Sequence, residues 1–130
     1  MGDYMSVIKA NNITNVTGGI PTVKGQKLIP TAWVNFNGES TVAIRDSENV
    51  SSITDNGTGD YTVTFATSMA NINYASAGFA GAGTSSLRSL SQPYEVFPPT
   101  TASCRYNVVY ANNSIYDAPT VSVLILGGQA

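Results

Sequence analysis

Acidic side chains are the main candidates for catalytic groups in this chain, because the chain contains no histidine. Asp46 and Glu48 stand two positions apart, and residues at that spacing on a strand face the same side of a sheet. Glycosidases place two carboxylates about 5–10 Å apart across a cleft, so the pair has one feature of such a site. Acids two apart are equally common on solvated loops, and the neighbouring Arg45 offers a neutralising charge. We expect no enzymatic activity.

The segment 55–60, DNGTGD, is the nearest approach to a metal-binding loop. Calcium loops of the EF-hand type need oxygen ligands at alternate positions and a later bidentate glutamate. Here the alternate positions after Asp55 are Gly57 and Gly59, which carry no ligand. We therefore predict a hairpin turn, with an adventitious cation site as the alternative, and we predict no metal and no cofactor for the protein.

Two stretches rich in small and polar residues, 78–92 and 111–119, are better candidates for binding, because loops on a rigid scaffold often carry function. The second stretch contains Tyr116, whose ring could stack on a sugar while neighbouring amides and carboxylates bind the sugar hydroxyls. The alternative is that Tyr116 packs back on its own domain. The predicted receptor-binding residues are Asn112, Asn113, Tyr116, Asp117 and Arg88.

Alternating apolar residues predict the β-strands that position these stretches. The alternation has a period of two through 32–65 and again through 104–110 and 120–126, with Gly, Asn and Asp at the turns. We also expect strands at 72–77 and 93–97. Seven or eight short strands of this kind predict an all-β fold, an antiparallel β-sandwich.

Several local expectations accompany this fold. In the first hairpin loop, 37–40, the Asn-Gly pair should supply the positive φ that such turns need. The run 121–126 is the most apolar of the chain and predicts a strand buried on both faces. Cys104 should be a buried structural thiol, because a lone cysteine behaves as a small hydrophobe. Tyrosines on the apolar-facing positions should lie in the core; they are Tyr61, Tyr106 and Tyr110.

The composition limits the partners of the protein. The length of 130 residues suits one domain, which we place at 31–130, preceded by an extended N-terminal arm at 1–30. Charged residues make up 11% of the chain, against about 25% in typical domains, as expected if copies of the chain bury surface against each other. The six cations are scattered, so nucleic acid is not an expected partner. No apolar run approaches the roughly 20 residues that span a membrane, so we expect no membrane insertion.

Three segments resemble the C-terminal module of bacteriophage tail fibres and related tail proteins: WVNFN at 33–37, TVAIR at 41–45 and SSITDNGTGDYTV at 51–63. The chain end is similar too, with SCRY at 103–106, a polar loop and TVSVLILG at 120–127. The resemblance implies a virion protein of the tail that forms a homotrimer and assembles in the host cytoplasm. It also implies contacts with other tail or baseplate proteins, and no chemistry. The arm would attach the module to the virion or wrap neighbouring subunits; the alternative is an arm that packs on its own domain.

The expected function is therefore that of a non-enzymatic tail fibre module for host-surface attachment, with a host-surface glycan as a candidate receptor. Weak contacts would be multiplied by trimeric valency, because linked sites gain affinity through effective concentration. The alternative is a structural virion protein, a capsid decoration or tail-assembly component that contacts only other virion proteins. The absence of a collagen-like or heptad repeat that could form a shaft favours this alternative.

Overall fold

A computed structural model of the protein describes residues 29–83 and 87–129, together with positions 10, 13, 14 and 16. The predicted arm at 1–30 therefore lies almost wholly outside the described residues. The described part of the chain contains no helix, and so none that could cross a membrane. Its eight strands are β1 (Ala32–Asn37), β2 (Ala43–Glu48), β3 (Val50–Gly57), β4 (Asp60–Phe65), β5 (Tyr74–Gly81), β6 (Ser89–Ser91), β7 (Ser103–Val109) and β8 (Thr120–Gly127).

The strands form two four-stranded sheets with the orders β2-β1-β8-β5 and β3-β4-β7-β6. Every strand pairing is antiparallel. The prediction of an all-β antiparallel fold with seven or eight strands is confirmed, and the two sheets are arranged as in a β-sandwich. Strands β7 and β8, which flank the polar stretch at 111–119, are both central in their sheets.

The core lies between the two sheets and is built from the predicted alternation. In β1, β4 and β7 every second residue is buried, as the period of two requires. The rings of Phe36 and Tyr61 meet edge to face across the sheets, with centroids 5.2 Å apart. Phe65 and Tyr74 form a second such pair at 5.8 Å. These pairs add packing energy beyond that of buried area alone.

Cys104 is buried in this core, as predicted, with 1% of its surface exposed. The side-chain amide of Gln92 donates a hydrogen bond to its sulfur at 2.8 Å. Burial raises the pKa of the Cys104 thiol, although the hydrogen bonds around the sulfur act in the opposite direction. Tyr61 and Tyr106 are also buried as predicted, whereas Tyr110 is only half-buried.

The strand predicted at 72–77 is present as β5, but it continues through glycine-rich residues for which the composition predicts a loop. Strand β5 continues to Gly81 and pairs with β8 along its whole length. At Gly78 an added Cβ would collide with the carbonyl oxygen of Ser122, so the close approach of the two strands requires glycine. The predicted loop 78–92 is therefore wrong for residues 78–81 and 89–91, which belong to β5 and β6.

Three further expectations are corrected. The segment 93–97 is a turn and not a strand, because the amides of Val96 and Phe97 donate to the carbonyl of Pro93. In the loop 37–40, the positive φ of 59° belongs to Ser40 and not to the Asn-Gly pair. Strand β8 is buried on one face only, since Leu124 and Leu126 are 40% and 39% exposed.

The segment 55–60 forms the predicted hairpin turn, with residues 58 and 59 between β3 and β4. The carboxylate of Asp60 is already bound within the protein and is not a free metal ligand, because its two oxygens accept hydrogen bonds from the Arg105 guanidinium at 2.7 and 2.6 Å. This bidentate contact holds the pKa of the Asp60 carboxyl below its usual value. The described residues contain no cluster of three acidic or thiol side chains that could hold a metal ion.

Replacing Phe65 tests the register of β4. Phe65 is 5% exposed, so Phe65→Ala should lower the free energy of unfolding by about 3–5 kcal/mol, the usual cost of truncating a buried phenylalanine. The adjacent Thr64 lies on the opposite face, so Thr64→Ala should cost less than about 1 kcal/mol. Urea denaturation measures both values, and equal or reversed costs would contradict the register.

Candidate functional site

The candidate site forms where the loop 110–119 meets the start of β6. Strand β6 pairs with β7, and the register places Ser89 opposite Val109. Arg88 directly precedes β6 and Tyr110 directly follows β7, so the same antiparallel register brings these two residues together. Two of the predicted receptor-binding segments therefore meet at one end of the sheet β3-β4-β7-β6.

Arg88, Tyr110 and Tyr116 form a cluster, which we call the Arg88 cluster. The guanidinium carbon of Arg88 lies 5.0 Å from the ring centroid of Tyr110 and 4.9 Å from that of Tyr116. The two rings meet edge to face with centroids 5.9 Å apart. Each cation–π contact of this kind contributes about 0.5–1 kcal/mol at a partly exposed site, so the rings hold the guanidinium in a defined position.

Hydrogen bonds within the loop give it one conformation. The amide of Tyr110 donates to the carbonyl of Ser114 at 2.8 Å, and the amide of Asn113 donates to the carbonyl of Tyr110 at 2.9 Å. Asn113 has a φ of 63°, a left-handed conformation that asparagine tolerates better than most residues. The Asn112 side-chain oxygen accepts from the amide of Ser114, which closes the turn. The side-chain amides of Asn112 and Asn113 therefore project from a backbone of defined conformation.

A groove of about 460 Å³ opens beside the Arg88 cluster. Arg88, Tyr110 and Asn113 line it, and Leu87 and Ser89 continue its wall. Tyr116, the other ring of the cluster, does not line this groove and is 40% exposed. The volume lies within the range of about 300–1,000 Å³ that is usual for small-ligand sites, so the cluster borders a space that a ligand could enter.

Asp117, unlike the other predicted receptor-binding residues, uses its side chain to hold the loop in place. Its Oδ1 accepts a hydrogen bond from the amide of Gly59 at 2.7 Å and lies 3.0 Å from the hydroxyl oxygen of Tyr61. Gly59 also lies against the backbone of Tyr116, where an added Cβ would be 2.6 Å from the Tyr116 nitrogen. Asp117 therefore ties the loop to the β3–β4 hairpin, and this oxygen is used within the protein.

The structure thus brings Arg88, Tyr116 and Asn113 together, with Asn112 exposed on the same turn. Tyr110 is the member that sequence reasoning assigned to the core. Its position at the end of the alternating strand, directly before a polar loop, is the only sequence signal that it could leave the core.

Asp46 and Glu48 lie on the edge strand β2, opposite Asn35 and Trp33 of β1. Both acids are exposed and share one face, as their spacing predicts. Arg45 does not neutralise them, because its guanidinium donates to the carbonyls of Phe36 and Pro119.

Replacing Asp117 separates its structural role from ligand binding. Asp117→Ala removes the acceptor for the Gly59 amide, so we expect a loss of about 1–3 kcal/mol in the free energy of unfolding. Asp117→Asn keeps an accepting oxygen and should cost less. Asp55→Ala is the control, because Asp55 is exposed and accepts only within its own turn. Equal unfolding free energies for Asp117→Ala and Asp55→Ala, measured in urea, would contradict this role.

No protein-family model, curated protein sequence or solved structure matches the chain. The resemblance to tail fibre modules therefore stays a prediction from the sequence.

Proposed function

We propose that the chain is a homotrimeric module of a bacteriophage tail fibre that attaches the virion to the host surface. The segments 33–37, 41–45, 51–63 and 120–127 support the family, through their resemblance to tail fibre modules. The observation that carries the attachment role is the Arg88 cluster, which presents an aromatic ring and a cation beside an open groove. The other partners of the chain are tail or baseplate proteins of the same virion.

An apolar surface on the sheet β2-β1-β8-β5 supports self-association. Trp33, Leu124 and Ala77 are direct neighbours across β1, β8 and β5. Phe79 is 59% exposed beside this row. We call this surface the apolar outer face; its residues are Trp33, Ala75, Ala77, Phe79, Leu124 and Leu126.

The chemistry of the apolar outer face suits a second copy of the chain. None of its six residues is charged, and the small side chains of Ala75 and Ala77 leave room for another surface to approach. Burial of apolar surface gains about 25 cal/mol per Å², and large apolar patches on single subunits mark interfaces. The charged residues of this sheet face, Arg45, Asp46 and Glu48, all lie on β2, where they would form a polar rim.

Assembly and attachment use different parts of the fold in this proposal. The Arg88 cluster is built from the segments around β6 and β7, and the apolar outer face from β1, β5 and β8. A trimer formed through the apolar outer face would therefore carry three copies of the Arg88 cluster. Three linked weak sites bind more tightly than one through effective concentration, provided that the receptors can be reached together. The role is a binding role and requires no catalysis.

The apolar outer face predicts the effect of charge on assembly. Size-exclusion chromatography with light scattering should give a mass near three times 13.6 kDa for the natural chain. Phe79→Asp should reduce it toward a single chain, because a carboxylate is costly to bury without a partner. Val96→Asp is the control, since Val96 is 70% exposed on the turn 93–97, away from this face. A monomer at every concentration would contradict the trimer, and an intact Phe79→Asp trimer would contradict the interface.

Binding to cells tests the attachment role. The purified trimer should be pulled down by cells of at least one strain in a panel of bacteria. Tyr116→Ala should weaken this binding while the melting temperature changes little, because Tyr116 is 40% exposed. Tyr94→Ala is the matched control, since Tyr94 is 58% exposed on a different loop. Failure to bind any strain, together with capture of virion proteins, would replace the attachment role with the structural one.

A further inference from the structure

The charge of Arg88 has no acidic partner within the described part of the chain. The ion pair found there joins Arg105 to Asp60, on the outer side of β4 and β7. Asp117, the acid in the loop beside Arg88, directs one oxygen to Gly59 and Tyr61 instead. Arg88 is half-buried and its guanidinium lies against two rings, so its positive charge is less well solvated than that of an exposed arginine.

Within the described residues, Arg88 also uses little of its hydrogen-bonding capacity. Its Nε is buried and has no hydrogen-bond partner among the described residues. One terminal nitrogen makes a single long contact of 3.4 Å with the Leu87 carbonyl. The buried Nε cannot be reached from the groove, so a ligand there would bind the terminal nitrogens of the guanidinium.

A carboxylate is the acceptor that this arrangement favours. A guanidinium offers a planar fork of N–H groups, which matches the two oxygens of a carboxylate. The contacts with Tyr110 and Tyr116 fix the position of the fork before a ligand arrives, which lowers the entropy cost of binding. A phosphate monoester carries more negative charge, and Arg88 is the only cation that lines the groove within the described residues.

The remaining groups favour a sugar as the carrier of that carboxylate. Tyr110 and Asn113 line the groove with a ring and an amide, and the partly exposed ring of Tyr116 beside them extends the apolar surface. A pyranose ring has both an apolar C–H face and hydroxyl groups, so it can use both features. A neutral sugar would bring no negative charge to the Arg88 guanidinium, whereas a carboxylate forms the stronger, charge-assisted hydrogen bonds.

We propose that the Arg88 cluster binds the carboxylate of a uronic acid, as found in acidic surface polysaccharides. The identity of the polysaccharide as a host receptor rests on the proposed attachment function, whereas binding of the sugar itself does not. The ion pair between Arg88 and the carboxylate orients the sugar, and the Tyr116 ring contacts its C–H face.

Titration of the full-length protein with sodium glucuronate, followed by NMR, tests the proposal. Saturable shifts of the Arg88 side-chain N–H and of the Tyr110 and Tyr116 rings are expected. Glucuronamide, which replaces the carboxylate with a neutral amide of nearly the same shape, should bind at least tenfold more weakly. This comparison uses the natural chain, so it does not depend on whether a variant folds. Equal binding of both sugars, or no binding of glucuronate, would overturn the proposal.

Variants and a second anion locate the contact. Arg88→Gln should abolish the shifts, Arg88→Lys should weaken binding at least tenfold, and the control Tyr94→Ala, an exposed residue on the turn 93–97, should leave it unchanged. Tighter binding of glucose 6-phosphate than of glucuronate would overturn the assignment of a carboxylate. Binding of cells without binding of glucuronate would reject the uronic acid and keep the attachment role. Binding of glucuronate without binding of cells would reject the attachment role alone.

Discussion

The side chain of Tyr61 connects the two sheets and two of the loops between their strands. Its ring lies on β4 and packs edge to face on Phe36 of β1, so it connects the two sheets. Its hydroxyl donates to the carbonyl of Gly38 and contacts Asp117, so it also fixes the loops after β1 and before β8. Burial, followed by the nearby Asp117 carboxylate, raises the pKa of the Tyr61 hydroxyl above its usual value, so it remains a neutral donor. An added Cβ on Gly38 would lie 2.6 Å from the Tyr61 oxygen, so this contact also restricts position 38.

The candidate site depends on this connection through the loop that carries Tyr116. Asp117 is held by Tyr61 and Gly59, and the amide of Tyr116 donates to the carbonyl of Val108. The ring of Tyr116 therefore starts from a fixed backbone when it meets Arg88. A binding site made of three side chains from two segments is useful only if both segments are fixed, and the core supplies that restraint.

The sequence predicts the fold well where a strand has one buried face, because the period of two is then visible. It does so for β1, β4 and β7, and for the inward side of β8. It fails for the second half of β5, residues 78–81, where glycine and alanine carry no alternation and the pairing with β8 determines the structure. For the candidate site, the sequence identifies the residue types in the two stretches. It does not show that Arg88 lies on Tyr110 and Tyr116, because that contact follows from the pairing of β6 with β7.

The burial of Cys104 has a consequence for the chemical durability of the protein. Thiol oxidation and disulfide exchange proceed through the thiolate at an accessible sulfur. Cys104 is 1% exposed, and its raised pKa keeps the thiolate scarce at neutral pH. A protein that passes from a reducing cell into an oxidising medium would therefore keep this residue as a thiol. The fold needs no change of redox state to stay intact in either environment.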